Sequence, residues 1–306
     1  MFKFCVGALL FCFHAMSLAA DADKANSSQT QSLLHDGIER SYVVRTPAKP
    51  ALANSLLPLV IVLHGGGGNA AYAESMTGFT AKGDKENFIV VYPEGTGPYK
   101  GMLLTWNSGH CCAFAMRGKV DDVGFISALI DKMIRDYPVD PKRVYATGMS
   151  NGGMMAHRLG IELSGKIAAI APVVATVFGD EVKPQQAVAA LMINGMLDKS
   201  MPVLGGPTAG RNPDAWDGTP LKPSTAQAEY WAGANGCKNT PEKQDRGAYL
   251  QWRYPCPAGG SVEIYLIKDD GHSWPGGKAG SRFGDTPGSA LRGTDVIWDF
   301  FKAHSR

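Results

Sequence analysis

The stretch Gly148-Met149-Ser150-Asn151-Gly152-Gly153 decides the fold predicted for this chain. Residues 143–147 before it have the character of a buried strand, and residues 154–159 after it that of a helix. A serine between two glycines in such a strand, turn and helix is typical of a nucleophile elbow, whose strained turn exposes the serine hydroxyl. The following helix points its first amides, including that of Asn151, at an anion forming there. The pentapeptide from Gly148 to Gly152 is by itself equally compatible with an ordinary exposed serine. The other motifs of the chain have to distinguish a catalytic serine from that alternative.

Length and charge limit the possible function classes. The chain has 306 residues, 44% of them hydrophobic and 19% charged, which suits one large α/β domain better than two enzymatic ones. The formal net charge is +2, which provides no electrostatic footprint for nucleic acid or for an anionic membrane. We therefore expect neither nucleic acid nor a membrane as a partner of the mature protein.

The N-terminus has the pattern of a secretory signal peptide over residues 1–20. Lys3 precedes a mostly apolar run, and small residues offer a cleavage site between about positions 19 and 22. A membrane anchor is the alternative, but the run is short for a span. We expect a flexible leader over residues 21–35, a single catalytic domain over 36–306, and export to the periplasm or the extracellular medium.

Four cysteines remain after such a cleavage, in an oxidising compartment: Cys111, Cys112, Cys237 and Cys256. Four cysteines allow three pairings, and a Cys237–Cys256 disulfide closes a polar loop most economically. That pairing leaves Cys111 with Cys112, either as a vicinal disulfide or as thiols. No C-x-x-C or H-x-x-x-H spacing accompanies them, so no metal site is predicted.

Alternation of strands and helices predicts a doubly wound, mostly parallel sheet with helices on both faces. Helices are predicted after Asp121-Asp122, one of which we interpret as the N-cap rather than a catalytic carboxylate, from the capping-box pattern Ser224-x-x-Gln227, and around residues 295–302. The strands are predicted at 38–44, 57–63, 88–93, 143–147, 166–174, 188–194 and 262–267.

Two loops are predicted to flank the elbow. The run His64-Gly65-Gly66-Gly67-Gly68 follows the second predicted strand, and such a run can turn its backbone amides inward as the second half of an oxyanion hole requires. A flexible surface loop is the alternative for this run in isolation. The long loop 94–120, which holds Trp106 and His110, is predicted to form a wall of the active site.

A serine nucleophile needs a histidine base, and the base needs an orienting carboxylate. His272 follows the strand predicted at 262–267 in a glycine-rich turn, so we predict it as the base, with His110 as a distant second choice. Asp198 follows the strand predicted at 188–194 by a short turn, and the order Ser, Asp, His is the chain order of α/β-hydrolases. The predicted triad is therefore Ser150, Asp198 and His272.

The combined motifs resemble the secreted polyhydroxybutyrate depolymerase and feruloyl esterase family of α/β-hydrolases over nearly all of the mature chain. The resemblance implies an α/β-hydrolase fold and a serine esterase that forms an acyl-enzyme, with the triad above and an oxyanion hole made by the amides of Gly66 and Asn151. It implies no metal or organic cofactor. The matching stretches are Leu63 to Gly67, Trp106-Asn107 with Cys111-Cys112, Val120 to Phe125, the elbow, Asn194-Gly195 with Asp198, and Gly271 to Gly276.

The substrate is predicted only as a class. We expect soluble or oligomeric esters, such as 3-hydroxybutyrate oligomers or polyhydroxybutyrate, or feruloyl and acetyl esters of plant polysaccharide. Trp106, Trp216 and Trp274 could stack on a ring of the substrate or pack inside the protein. Segment 199–223 is the expected specificity loop, and it lacks the aromatic residue that the family often places after the acid. An acyltransferase on the same fold and a non-catalytic secreted binding module are the alternatives.

Overall fold

The structure, a computed structural model, describes residues 29–48, 55–207, 213–280 and 285–306. The predicted signal peptide and the first part of the predicted leader lie outside these residues. The strands are β1 (Gln29–His35), β2 (Ile38–Arg45), β3 (Leu57–Leu63), β4 (Ile89–Pro93), β5 (Val139–Met149), β6 (Ala169–Val173), β7 (Ala189–Gly195), β8 (Glu242–Asp245), β9 (Tyr249–Tyr254) and β10 (Val262–Ile267). The helices are α1 (Ala70–Thr77), α2 (Phe79–Glu86), α3 (Ala113–Arg117), α4 (Asp122–Asp136), α5 (Asn151–Glu162), α6 (Ser224–Ala234) and α7 (Gly293–Phe301).

The described strands form one sheet in the order β1-β2-β4-β3-β5-β6-β7-β10-β9-β8. The six central strands, from β4 to β10 in that order, run parallel, and the two strands at each edge are antiparallel to their neighbours. This confirms the predicted mostly parallel sheet. Because parallel neighbours end at the same edge, the loops after β3, β5, β7 and β10 meet there.

Helices cover both faces of the sheet. In β3, Leu59 and Ile61 pack into one hydrophobic core together with residues of α4, α5 and α6. Val60 and Val62 point to the other face and pack with α1, α2 and α7. All seven residues of β3 are buried, which explains why its sequence is continuously apolar rather than alternating.

The predicted flexible leader is wrong for residues 29–35, which form β1. This strand pairs antiparallel with β2, with Gln29 opposite Val44 and His35 opposite Ile38. Asp36 and Gly37 between them have φ of 50° and 74°, as a two-residue hairpin turn requires. Asp-Gly is a known signal for such a turn, and the polar character of β1 concealed the strand that it closes.

Two helix starts can be compared with their predictions. Asp121 is the N-cap of α4, because its side chain accepts a hydrogen bond from the Gly124 amide, as the N-cap interpretation requires. The predicted capping box at α6 is wrong, because Pro223 is the N-cap and has no N–H to donate. The side-chain amide of Gln227 instead donates to the Ser224 carbonyl within the helix.

Disulfides join Cys237 to Cys256 and Cys111 to Cys112. The first connects the segment after α6 to the end of β9, as predicted, and the second is the vicinal alternative that the sequence left open. Of the helices in the described ranges, none is both long enough and apolar enough to cross a membrane.

Candidate active site

Ser150 lies at the tip of a sharp turn between β5 and α5. Its φ of 58° is in the left-handed region, which a non-glycine residue adopts only when its surroundings enforce it. Its amide donates to the Val173 carbonyl at 2.9 Å, which ties the turn to the neighbouring strand β6. A Cβ at Gly152 would lie 2.5 Å from the backbone oxygens of both Leu63 and His64, so only glycine permits this packing. The turn holds Ser150 in a partly exposed position.

Asp198 and His272 meet across the loops that follow β7 and β10. The Asp198 side chain is buried, and its Oδ1 accepts the amides of Ser200 and Met201 at 2.7 and 2.8 Å. Its Oδ2 lies 2.7 Å from His272 Nδ1. An ionised carboxylate only accepts hydrogen bonds, so Nδ1 carries the proton and Nε2 presents a lone pair. The structure therefore joins the two residues predicted as acid and base and makes the imidazole suitable for accepting a proton.

The loop that carries His272 is fixed by two further aspartates. Asp270 is buried, and its Oδ1 accepts hydrogen bonds from the Gly271 amide and the Ser273 hydroxyl. Asp285 accepts the His272 amide at 2.7 Å. The Leu197 amide donates to the Asp270 carbonyl, which ties the loop of the acid to that of the base. Asp270 therefore shapes the backbone of the loop that carries His272.

His64 braces the glycine run in a neutral form. The side chain is fully buried, its Nδ1 donates to the Gly65 carbonyl at 2.8 Å, and its Nε2 accepts the Gly95 amide at 3.0 Å. Burial lowers its pKa to about 4, although the bond to Gly65 acts in the opposite direction. A Cβ at Gly66 would lie 3.7 Å from the Asn151 Cβ, so the glycine run passes beside the first turn of α5.

The Asn151 side chain connects the elbow to loop 94–120. Its Oδ1 accepts the Trp106 amide at 2.8 Å, and its Nδ2 donates to the Trp106 carbonyl at 2.9 Å and to Ser108 Oγ at 3.1 Å. The sequence indicated a role only for the backbone amide of Asn151. The Asn151 side chain also satisfies both the buried N–H and the buried carbonyl of Trp106. No short motif indicates this pairing, because the two residues are 45 positions apart.

A buried ion pair supports the same loop from behind. Asp122 Oδ1 accepts from Arg40 Nη2 at 2.6 Å, and Oδ2 accepts the Asn107 amide at 2.7 Å. Burial raises the pKa of Asp122, and Arg40 and the Asn107 amide only partly counteract this. Arg40 also lies 4.1 Å from the ring centre of Phe125. Asp122 is therefore a structural carboxylate, and Arg40, a buried cation of β2, is a support that no sequence pattern indicated.

His157 belongs to a buried polar chain beneath the elbow helix. Its Nδ1 accepts from Trp231 Nε1 at 2.9 Å, and its Nε2 donates to Gln227 Oε1 at 2.7 Å. Gln227 donates in turn to Asn194, and Asn194 to the Ala175 carbonyl. Burial lowers the pKa of His157 to about 4. This series of hydrogen bonds connects α5 to the end of β7, where the loop that carries Asp198 begins.

The three tryptophans predicted to contact substrate have different environments. Trp106 is fully buried and donates from Nε1 to the His64 carbonyl at 3.0 Å. Trp274 is 1% exposed, packs edge-on against Phe79 and donates to Thr294. Neither indole offers a free face, which corrects the prediction that they stack on a substrate ring. Trp216 is partly exposed, and its contact with substrate stays a prediction.

His110, the second choice for the base, does not contact Asp198 through any described hydrogen bond. Its ring nitrogens lie instead against Asp217 and Asp180, at 2.7 and 2.8 Å. Since both partners are carboxylates, neither nitrogen retains a lone pair for general-base chemistry. The geometry favours His272 over His110 as the base.

Residues 40–205 match the family model described as esterase PHB depolymerase. NocK of Nocardia uniformis subsp. tsuyamanensis is 31% identical over 255 residues, which cover 79% of this chain and 72% of NocK. Feruloyl esterase B of Piromyces equi is 30% identical over 252 residues, which cover 80% of this chain. The match spans only 44% of that longer relative.

Among solved structures, an acetyl xylan esterase from Aspergillus awamori superposes with a TM-score of 0.61. It covers 90% of this chain and 99% of its own, at 14% identity. At that identity the likeness establishes a shared fold, the α/β-hydrolase type that the elbow and the parallel sheet predicted. With the family match over more than half of its length, the chain belongs to the esterase PHB depolymerase family, and its domain is that of a carboxylic ester hydrolase.

Proposed function

We propose that the protein is a secreted serine esterase in which Ser150 is the nucleophile, His272 the general base and Asp198 the orienting acid. The observation that carries the proposal is the 2.7 Å bond from His272 Nδ1 to the buried Asp198, across loops at the strand ends that also present Ser150. That bond fixes the tautomer in which Nε2 accepts a proton. The pattern of residues 1–20 and the two disulfides support export.

The reaction follows from these positions. His272 Nε2 takes the proton from Ser150 Oγ as the oxygen attacks the ester carbonyl, and the amides of Asn151 and Gly66 hold the oxyanion. The carbonyl–alkoxide bond then breaks, the alcohol leaves with the proton from Nε2, and an acyl-serine remains. Water repeats both steps, releases the acid and restores Ser150. Loss of one oxyanion donor is expected to cost about 3 kcal/mol of transition-state stabilisation.

We propose soluble or oligomeric esters as substrates, either 3-hydroxybutyrate oligomers and polyhydroxybutyrate or feruloyl and acetyl esters of plant polysaccharide. The description of the matching family and the name of the Piromyces relative support this range. Trp216 is the one tryptophan of the three predicted that retains exposed surface for a substrate ring.

Hydrolysis of a small panel of esters by the mature protein and by Ser150→Ala tests the proposal. We expect the wild type to hydrolyse p-nitrophenyl butyrate and at least one of methyl ferulate, acetylated xylan oligomer and 3-hydroxybutyrate trimer. Ser150→Ala is expected to lose about 10⁶-fold in kcat, as removal of a serine nucleophile does elsewhere. Ser32→Ala, on the exposed edge strand β1, is the control and is expected to leave the rate unchanged. Retained activity in Ser150→Ala would contradict the assignment.

A further inference from the structure

A histidine joined to two aspartates lies outside the proposed triad. His110 Nδ1 is 2.7 Å from Asp217 Oδ2, and Nε2 is 2.8 Å from Asp180 Oδ2. Carboxylate oxygens only accept, so both bonds exist together only when His110 carries two protons and a positive charge. We call these three residues the histidine bridge. It joins three separate loops: one after β4, one after β6, and one after β7.

The bridge anchors the part of the chain that carries Trp216, which we call the Trp216 segment (residues 213–222). The Asp217 amide donates to the His110 carbonyl at 3.3 Å, and Cys111 and Trp216 pair as an isolated antiparallel β-bridge. The far end of the segment is held separately, since Thr176 Oγ1 donates to the Lys222 carbonyl at 2.9 Å. The middle of the segment therefore depends on contacts made at and beside His110.

The Trp216 segment packs against the elbow through a small hydrophobic cluster. Its buried members are Cys111, Cys112, Met154, Ala175, Phe178, Met201 and Leu221, and Trp216 packs on them. Met154 is four residues after Ser150, and the Met201 amide binds Asp198. The His110 ring lies 4.7 Å from the Phe178 ring, so the bridge closes the outer side of this cluster.

The other charged side chains near the bridge have contacts with groups other than the two aspartates. The Glu181 carboxylate accepts the amides of Phe178 and Gly179, and Arg117 donates to the Asp214 carbonyl. The Lys222 side chain packs where a Cβ at Gly179 would stand. Thr219 Oγ1 lies 3.0 Å from His110 Nδ1, and its amide donates to Asp217 Oδ1.

We propose that His110 is a positioning residue that, as an imidazolium, holds Trp216 in its place beside the nucleophile elbow. The inference rests on the proposed esterase site. When His110 loses a proton, one of its nitrogens faces a carboxylate with a lone pair, and the contact to Asp217 or Asp180 becomes repulsive. The side-chain part of the anchor of the Trp216 segment is then weakened, and an ester that contacts Trp216 binds less tightly while the triad is unchanged.

The direction of the pH dependence follows from the surroundings of His110. Partial burial lowers its pKa, and the bonds to Asp217 and Asp180 outweigh this, so its pKa lies above the ordinary value of 6.5. The bridge is fully formed below about pH 6.5 and is lost as the pH rises through the raised pKa. The Asp217 pKa is lowered, since the Thr219 amide and His110 outweigh its burial, so Asp217 stays ionised over this range.

Steady-state kinetics of wild type and His110→Gln on methyl ferulate and p-nitrophenyl acetate test the proposal between about pH 6 and about pH 9. We expect the KM of the wild type for methyl ferulate to rise about three- to fivefold over this range, as fits partly exposed ion pairs. His110→Gln, which cannot become charged, is expected to show the high KM at every pH. At each pH, the KM for the small acetate and kcat for both esters are expected to differ by less than about twofold between His110→Gln and the wild type, because both retain the triad.

His35→Gln is the matched control, because His35 forms a similar partly exposed pair with Asp121 at 2.9 Å on the edge strand β1. It is expected to retain the wild-type pH profile. A KM for methyl ferulate that is independent of pH in the wild type, or a profile of His110→Gln that follows the wild type, overturns the proposal. So does an equal loss of kcat at every pH, which would indicate a general structural defect.

A ¹³C-histidine NMR titration separates this inference from the proposed function. The resonance that disappears in His110→Gln is expected to titrate above pH 6.5 in the wild type. A midpoint at or below that value overturns the bridge even if the enzyme is active. If the protein hydrolyses no ester, the proposed function fails, and with it the role in binding, whereas a midpoint above 6.5 still supports the bridge.

Discussion

At the scale of single residues, the partners of each histidine decide its chemistry. His64 and His157 have both ring nitrogens bonded to uncharged groups in the interior, which keeps them neutral. His272 has one nitrogen on the carboxylate of Asp198, which favours the tautomer of a general base. His110 has both nitrogens on carboxylates, which favours the cation. Four histidines of the same chain thus have three different protonation behaviours.

Replacement of Asp198 by asparagine tests this reasoning on the base. The Asn oxygen can still accept the Ser200 and Met201 amides, which turns its NH₂ toward His272 Nδ1. The proton then moves to Nε2, and the ring cannot accept one from Ser150. We expect kcat on p-nitrophenyl butyrate to fall about 10⁴-fold, as in other triads with the wrong tautomer, with little change in KM.

The control for this change is Asp299→Asn on the exposed side of α7, which is expected to keep full activity. Thermal unfolding of both variants shows whether the fold persists. A loss of less than about tenfold in folded Asp198→Asn would mean that another group orients His272.

The residues of the site divide by whether a local pattern marks them. Ser150, Asp198 and His272 each follow a recognisable strand and occur in the chain order of α/β-hydrolases, which predicted that they meet. The structure brings Asp198 and His272 into contact. Arg40 supports the site by pairing with Asp122 across 82 positions, and nothing next to Arg40 in sequence indicates that partner. Supporting residues of this kind can be recognised only in the folded structure, whereas strand ends can be recognised from the local amino-acid composition.

At the scale of elements, the elbow depends on the backbone of α5 approaching the end of β3 more closely than a side chain allows. Gly152 lies in the first turn of α5 against the end of β3, and an added Cβ would meet backbone oxygens that cannot move aside. We expect Gly152→Ala to lower the free energy of unfolding by about 1–3 kcal/mol, as overpacking does, and to reduce kcat by displacing Ser150.

Gly233→Ala in α6 is the matched control, because no atom lies within 4 Å of its added Cβ and its φ is not left-handed. There the change is expected to raise the free energy of unfolding by about 0.5–1 kcal/mol through higher helix propensity. Urea unfolding of both variants measures the difference. Equal effects of the two substitutions would show that the elbow tolerates a side chain and that the close approach is not what requires glycine.

The central strands were predictable and the outermost strands β1 and β8 were not, for a physical reason. The runs 57–63 and 262–267 are apolar, apart from Glu263, because helices cover both faces, and they coincide with β3 and β10. By contrast, β8 consists of four exposed polar residues, whose pairing with β9 comes from backbone hydrogen bonds rather than burial. Hydrophobic periodicity detects burial, so a strand that buries nothing escapes it.

At the scale of the whole molecule, the histidines couple the stability of the fold to pH. Burial lowers the pKa of His64 and His157 from 6.5 to about 4. The unfolded chain therefore binds two protons below about pH 6.5 that the folded chain rejects until about pH 4. Their contribution to stability is complete above about pH 6.5 and is lost as the pH falls toward 4. His110 acts in the opposite sense, since its raised pKa removes a contribution above pH 6.5. Together these groups favour maximal stability near neutral pH.

His157→Gln makes this coupling measurable, because glutamine can donate to Gln227 and accept from Trp231 without titrating. In the wild type, we expect these two histidines to lower the free energy of unfolding in urea by up to about 2.7 kcal/mol per pH unit between about pH 6 and about pH 4.5, the limiting slope for two protons. His157→Gln is expected to show about half that slope, since His64 alone then rejects a proton. His35→Gln, which removes a surface histidine, should keep the full slope.

An unfolding free energy that stays constant over this range, or an unchanged slope in His157→Gln, would mean that the buried histidines take up protons in the folded state. The brace at His64 and the polar chain at His157 would then both tolerate a charge, and their neutral hydrogen-bonding pattern could not be what holds the glycine run and the elbow helix in place.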